Sequence, residues 1–371
     1  MDFKYVIALI YFISLCFYQG LSCKTKSSYA DLESGTTFYS ITEDGKFNKR
    51  IVMTHGLLSD SEQFDSWRCI FSHTGYQVLT YDLLGHGNTE WKLSGFFPQQ
   101  RFVTQLNQLL KHIGWVDSSN KAEEKISFLG ISMGGLIVIN YALTHPEHVS
   151  SLISMCPPGI MTKYDFPDLY KLSNSPLVNA IKNIHSSKGM FKCGLYCASK
   201  LGFVKLGKQT KEEKKVTTDT FHKMFSTYVK SGGNGNLFDR HLDFEMLSKY
   251  ENQFRIIFFW GMNDDVVPFS PALEFLVKHF RRTPIVVYPN IKHIPAYPML
   301  SPALVALDFL ESNFKVGVPL GQVKELKYFY DNEVNIVQGM NFTISNQEAV
   351  VKFDITNLTE DYLDFLDFNS S

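Results

Sequence analysis

Ser132 stands in the run Gly130-Ile131-Ser132-Met133-Gly134-Gly135, with apolar residues leading into it from Ser127 and away from it to Ala142. An alcohol is a weak nucleophile unless a neighbouring base takes its proton, and that base needs a carboxylate to fix its orientation. Small residues around the serine let a buried strand turn sharply into a helix. The hydroxyl is then held at the helix N-terminus, where the dipole favours negative charge. In this arrangement the partners follow in the order serine, acid, histidine. Downstream, "MNDDVVPF" offers Asp264 and Asp265, and "NIKHIPAYP" offers His293. An oxyanion needs backbone N–H donors. The spacing assigns one to Met133, directly after the serine, and one to Leu57 in "MTHGLL", with His55 and Gly56 shaping that turn. His55 is expected to be a buried structural histidine.

These residues need a frame. Runs "RIVMTH" (50–55), "QVLTYD" (77–82), "KISFLG" (125–130) and "SSLISMC" (150–156) are strand-like, and the longer stretches between them carry apolar residues at three- and four-residue spacing. From residue 36 to about 155 this is the alternation of a parallel sheet covered by helices on both faces. The rhythm resumes at "RIIFFWG" (255–261) and "TPIVVYP" (283–289), each followed by a helical pattern. About a hundred residues between two core strands is far more than a structureless loop should span. The sequence therefore divides into a leader (1–22), a core in two parts (23–156 and 247–315), an inserted segment (157–246) and a tail (316–371) with strand-like alternation.

With 36 basic and 37 acidic residues, the chain gives no electrostatic reason to expect nucleic acid as a partner. Lys4, an apolar stretch from Val6 to Tyr18, and Gly20 and Ser22 before Cys23 read as a secretory signal peptide. An uncleaved membrane anchor is the alternative. Three glycosylation sequons, at Asn341, Asn357 and Asn369, agree with an extracellular route. An oxidising compartment would allow Cys193 and Cys197 to pair, whereas Cys156, at the end of an apolar run, reads as a buried thiol. Cys193 and Cys197 have no histidine at ligand spacing, so no metal is expected there. No cofactor is expected either.

The motifs Thr54-His55-Gly56-Leu57, Asp82-Leu83-Leu84-Gly85-His86-Gly87 and Gly130-Ile131-Ser132-Met133-Gly134-Gly135 resemble those of the α/β-hydrolase superfamily, over about residues 36–315. The resemblance implies an α/β fold, a mostly parallel doubly wound sheet with an inserted, mainly helical lid. In the family's acid loop the aspartate stands four before the proline, which gives Asp264 the role and leaves Asp265 a solvated neighbour or helix cap. His293 matches the family histidine, although Lys292 occupies a position usually held by glycine. A serine nucleophile sets the chain apart from the dehalogenase and epoxide-hydrolase branches. What remains nearest are monoacylglycerol-lipase-like hydrolases of carboxylic esters, acting on lipid or small acyl esters. A catalytically silent binding module, and a peptidase or thioesterase on the same residues, are the alternatives. The segment 189–208, with Phe191 and Leu195, mixes bulky apolar residues with lysines, as an acyl-chain or membrane-facing lid would. Oligomeric state is left open.

Overall fold

The computed structural model describes residues 23–43, 45–57, 59–89, 99–162, 240–280, 282–288, 291–293 and 301–311. The leader, most of the insertion with Phe191, Leu195, Cys193 and Cys197, and the tail with its sequons lie outside the described residues. One sheet holds eight strands: β1 (Thr25–Leu32), β2 (Gly35–Thr42), β3 (Lys49–Thr54), β4 (Tyr76–Tyr81), β5 (Ile126–Ile131), β6 (Val149–Met155), β7 (Arg255–Gly261) and β8 (Ile285–Tyr288). Their spatial order is β1-β2-β4-β3-β5-β6-β7-β8. Pairing is antiparallel at β1–β2 and β2–β4 and parallel from β4 to β8. The described helices are α1 (Asp65–His73), α2 (Gln99–His112), α3 (Met133–Thr144), α4 (His241–Ser248), α5 (Phe269–His279) and α6 (Ser301–Glu311).

The order of strands fixes where the helices go. From β3 the chain steps through α1 to β4 on one side, then returns through α2 to β5 on the other, and goes on through α3 to β6. Right-handed crossovers in opposite directions put their helices on opposite faces. Accordingly α6 packs on α1, while α2, α3, α4 and α5 pack in series. The reversal lies between β3 and β5, and the crevice beyond the carboxyl ends of those strands is where open sheets of this kind hold their sites. Every residue of β5 is buried, as its mostly apolar sequence ISFLGI requires. Helix α3 is apolar on nearly all sides because it lies on β5 and β6 between α2 and α4. Helix α2 buries Phe102, Val103, Leu106, Leu109 and Leu110, a single stripe at three- and four-residue spacing.

The antiparallel pair β1–β2 is the element that the apolar pattern does not announce. Strand β1 is an edge strand in which Ala30 alone is fully buried and Tyr29 is 55% exposed, so its sequence TKSSYADL lacks alternation. Cys23, just before β1, is bonded to Cys69 in α1, with Cα atoms 5.1 Å apart. Cys156 is a buried thiol outside that bridge. The chain enters and leaves the segment 157–246 through residues packed in the core. Ile160 and Met161 are buried, the N–H of Arg240 donates to the carbonyl of Gly159 at 2.8 Å, and Phe244 and Leu247 of α4 are fully buried. Among the described residues no helix is long and apolar enough to cross a membrane.

Candidate active site

Ser132 has φ 55° and ψ −123° and caps the N-terminus of α3. Such a conformation costs about 1–3 kcal/mol in a non-glycine residue and persists only where the surroundings force it. They do so by contact. A Cβ at Gly130 would stand 2.3 Å from the carbonyl oxygen of Gly134, and one at Gly134 would stand 2.2 Å from that of Thr54. Backbone therefore passes backbone at this crossing, which only glycine permits. The N–H of Ser132 donates to the carbonyl of Met155 at 2.7 Å, tying the turn to β6.

The turn after β3 lies against the serine. A Cβ built on Gly56 would be 3.2 Å from Cβ and 3.8 Å from Oγ of Ser132. His55 is fully buried, and burial lowers its pKa to about 4, so the ring is neutral. Its Nδ1–H donates to the carbonyl of Gly56 at 2.7 Å, and its Nε2 accepts the N–H of Leu83 at 2.9 Å. Both nitrogens are thus spent on backbone, joining the turn to the loop after β4. In that loop Asp82 accepts the N–H groups of Ser61 at 2.8 Å and Asn88 at 2.7 Å. Gln105 of α2 binds it from the other side, accepting from Leu84 N–H at 3.2 Å and donating to the Asp82 carbonyl at 3.0 Å. The motif 82–87 positions the turn of residues 55–57. Leu57 is partly exposed in that turn, and Met133 is buried as the first residue of α3, where backbone N–H groups have no partner inside the helix.

Across the crevice, the loops after β7 and β8 meet. The Asp264 side chain is wholly buried; one oxygen accepts the N–H groups of Val266 at 2.9 Å and Val267 at 2.7 Å. The other oxygen faces Nδ1 of His293 at 2.7 Å. Of the two neighbouring aspartates, then, Asp264 meets the histidine. Asp265 points outward to the ammonium of Lys292 at 2.9 Å, and this hydrogen bond holds its carboxyl below the usual range. The lysine at the unusual position therefore has a partner in its own loop pair. Backbone bonds from Met262 N–H to Tyr288 O (2.9 Å) and from Asn263 N–H to Ile291 O (3.1 Å) join the two loops.

One residue at this site carries no chemical signal in the sequence beyond its type. Cys156 follows β6 with φ 48°, and its N–H donates to the carbonyl of Phe259 at 2.8 Å. Together with the Ser132–Met155 and Met262–Tyr288 bonds, this continues the sheet's cross-links past the strand ends, so that residues at the ends of β5, β6, β7 and β8 stand in one row.

A family model for the alpha/beta hydrolase fold matches residues 49–297. The chain belongs to that family. It is 27% identical over 273 residues to monoacylglycerol lipase abhd6-B of Xenopus laevis, covering 71% of this chain and 75% of the relative. A shorter match, 28% over 146 residues, is to caffeoylshikimate esterase of Arabidopsis thaliana, covering 38% of this chain and 43% of that one. Among solved structures, a bacterial membrane phospholipase A superposes with a TM-score of 0.56 at 17% identity, covering 83% of this chain and 98% of that chain. At that identity the likeness speaks for the fold alone.

Proposed function

We propose that this chain, a lipase-like carboxylic ester hydrolase of the α/β-hydrolase type, cleaves lipid or acyl esters through a covalent acyl-enzyme on Ser132. His293 is the general base that takes the serine proton and later returns it to the leaving alcohol, and Asp264 orients the ring and stabilises the imidazolium. Water then attacks the acyl-enzyme by the same route in reverse. The backbone N–H groups of Leu57 and Met133 receive the oxyanion. The observation that carries the reading is the Asp264–His293 hydrogen bond at 2.7 Å, formed across the crevice from a serine held at φ 55° over a helix N-terminus. The similarity to a monoacylglycerol lipase supports a lipid or acyl substrate, and in this reading the insertion 157–246 is the lid over it. Secretion is part of the proposal; the Cys23–Cys69 bridge, a bond that persists in oxidising compartments, supports it.

The test is labelling with a fluorophosphonate probe followed by hydrolysis of esters of graded acyl length. Labelling of Ser132, lost in Ser132→Ala with the fold intact, is the expected result. On the ester series, kcat/KM should rise by about 0.8 kcal/mol per buried methylene until the pocket is full. Labelling of another serine would overturn the nucleophile assignment. Rates independent of chain length would favour a small polar ester, a thioester or a peptide instead.

A further inference from the structure

The acid–histidine pair has a third neighbour of metal-binding type. One ligand atom each of Cys156, Asp264 and His293, a sulfur, a carboxylate oxygen and a ring nitrogen, lies within 4.8 Å of the other two. Around a tetrahedral zinc ion, with Zn–S about 2.3 Å and Zn–N or Zn–O about 2.0 Å, ligand atoms of such a set stand roughly 3.3–3.5 Å apart. The three groups thus stand near coordination spacing, with the 2.7 Å contact between Asp264 and His293 the one that has to open to admit an ion. The backbone around them is already fixed: Cys156 by its N–H bond to Phe259 and its left-handed φ, Asp264 by the N–H groups of Val266 and Val267. His293 is 23% exposed, leaving a route for an ion and for a water as fourth ligand.

We propose that Cys156, Asp264 and His293 form a capture site for a thiophilic divalent cation, represented by zinc, that competes with ester hydrolysis. A thiolate, an imidazole and a carboxylate together select a borderline-soft ion such as Zn²⁺ over Mg²⁺ or Ca²⁺. Binding exchanges the thiol proton for the cation and releases that proton to solvent. Coordination at Nδ1 of His293 moves the ring proton shared with Asp264 to Nε2, so the imidazole stays neutral and its remaining nitrogen is protonated; coordination at Nε2 occupies directly the lone pair that would receive the serine proton. Either bond removes the histidine from base chemistry. This inhibition rests on the proposed role of His293, whereas the binding does not. The other described His/Glu group, His145, Glu147 and His148, is a poorer trap. Both nitrogens of His148 are engaged, Nδ1 with the Tyr141 hydroxyl at 2.8 Å and Nε2 with the Asn120 carbonyl at 2.9 Å.

The experiment titrates the metal-free full chain with Zn²⁺ against a chromophoric chelator while hydrolysis of a p-nitrophenyl ester is followed in parallel. One zinc per chain should bind, activity should fall in step with occupancy, and added chelator should restore it. Cys156→Ala should hydrolyse the ester at nearly the original rate, and should bind zinc more than about a hundredfold more weakly, since loss of a mere outer-shell partner already costs 10–100-fold. Cys156→Gly, which suits the left-handed backbone, serves if the alanine variant does not fold. His145→Ala should leave zinc affinity unchanged. Absence of binding, binding unaltered in both Cys156 variants, or binding lost in His145→Ala would overturn the proposal. Cysteine-dependent binding without loss of activity would uphold the site and overturn the role of His293.

Discussion

The surroundings of Ser132 and those of the Asp264–His293 pair are held by different forces. On the serine side, position is enforced by backbone packed against backbone, with Gly130 and Gly134 crossing at distances that exclude a side chain, the Gly56 turn lying close against Ser132, and His55 buried and neutral behind them. Facing it, position comes from individual polar bonds: two N–H groups on one oxygen of Asp264, the histidine on the other, and an exposed ion pair outside. Steric enforcement is insensitive to which polar groups are present but intolerant of one extra carbon. Polar enforcement has the opposite sensitivity. Substitution of the crossing glycines on the serine side should therefore threaten the fold, and substitution of the polar groups on the other side the rate.

The largest effect expected is on rate. Asp264→Asn should lower kcat by about 10⁴, the scale seen when the corresponding group is changed in a serine protease, with little change in melting temperature. Asp265→Asn should leave kcat almost untouched. A reversed ranking would show that the loop delivers the other carboxylate. Next comes Gly134→Ala, which should lose about 4 kcal/mol of stability, because the new methyl meets the Thr54 and His55 carbonyls and neither backbone can retreat. Equilibrium unfolding in urea measures it, and a loss below 1 kcal/mol would deny the steric account.

Smaller is the pH dependence of the serine side. His55 takes a proton only near pH 4 in the folded chain but near its ordinary 6.5 when unfolded, so between those values the unfolded state binds more protons and stability falls as pH falls. The loss is up to roughly 3 kcal/mol by linkage. Asp60, raised to about 6 by burial and by the nearby Asp82, works in reverse between its unfolded 3.8 and 6, where the folded state holds the extra proton and stability rises as pH falls. Thermal melts from pH 7 to 4 should steepen in Asp60→Asn and flatten in His55→Gln. Unchanged slopes in both would remove these two groups from the account. Smallest is Lys292→Gly. Both partners of the Lys292–Asp265 pair are largely exposed, so its loss should cost less than about 1 kcal/mol and leave kcat near the original. A large fall in kcat would show that the histidine loop needs that lysine for its shape.

Legibility in the sequence follows the same division. Strand β7 coincides with the apolar run RIIFFWG, and β3, β4, β5 and β6 fall within a residue of their runs, because a strand buried on both faces must be apolar throughout. The glycines around Ser132 were readable because a backbone crossing admits no other residue. The hairpin β1–β2 was not, since an edge strand with one buried alanine has no pattern to show. Nor was the Cys23–Cys69 bond, whose partners are brought together by the sheet rather than by spacing. The position of Cys156 beside Asp264 and His293 likewise depends on β6 and β7 being neighbours, a property of strand order that composition does not encode.

The Cys23–Cys69 bond turns the N-terminal portion of the chain into a covalent ring. Its ends are 46 residues apart, and β1, β2 and β3 all lie within it. Strand β4, outside the ring, inserts between β2 and β3, so two ring members that are consecutive in sequence are separated by a strand that arrives later. Closing a loop of that length restricts the unfolded chain by about 4 kcal/mol in the chain-entropy model, a sizeable share of a domain's usual 5–15 kcal/mol. The order of events in folding then becomes a choice between oxidising first and docking a preformed loop around β4, or docking first and sealing it afterwards. A reductant present during refolding, but withheld once the sheet has formed, separates the two routes by the yield of chain that still hydrolyses ester.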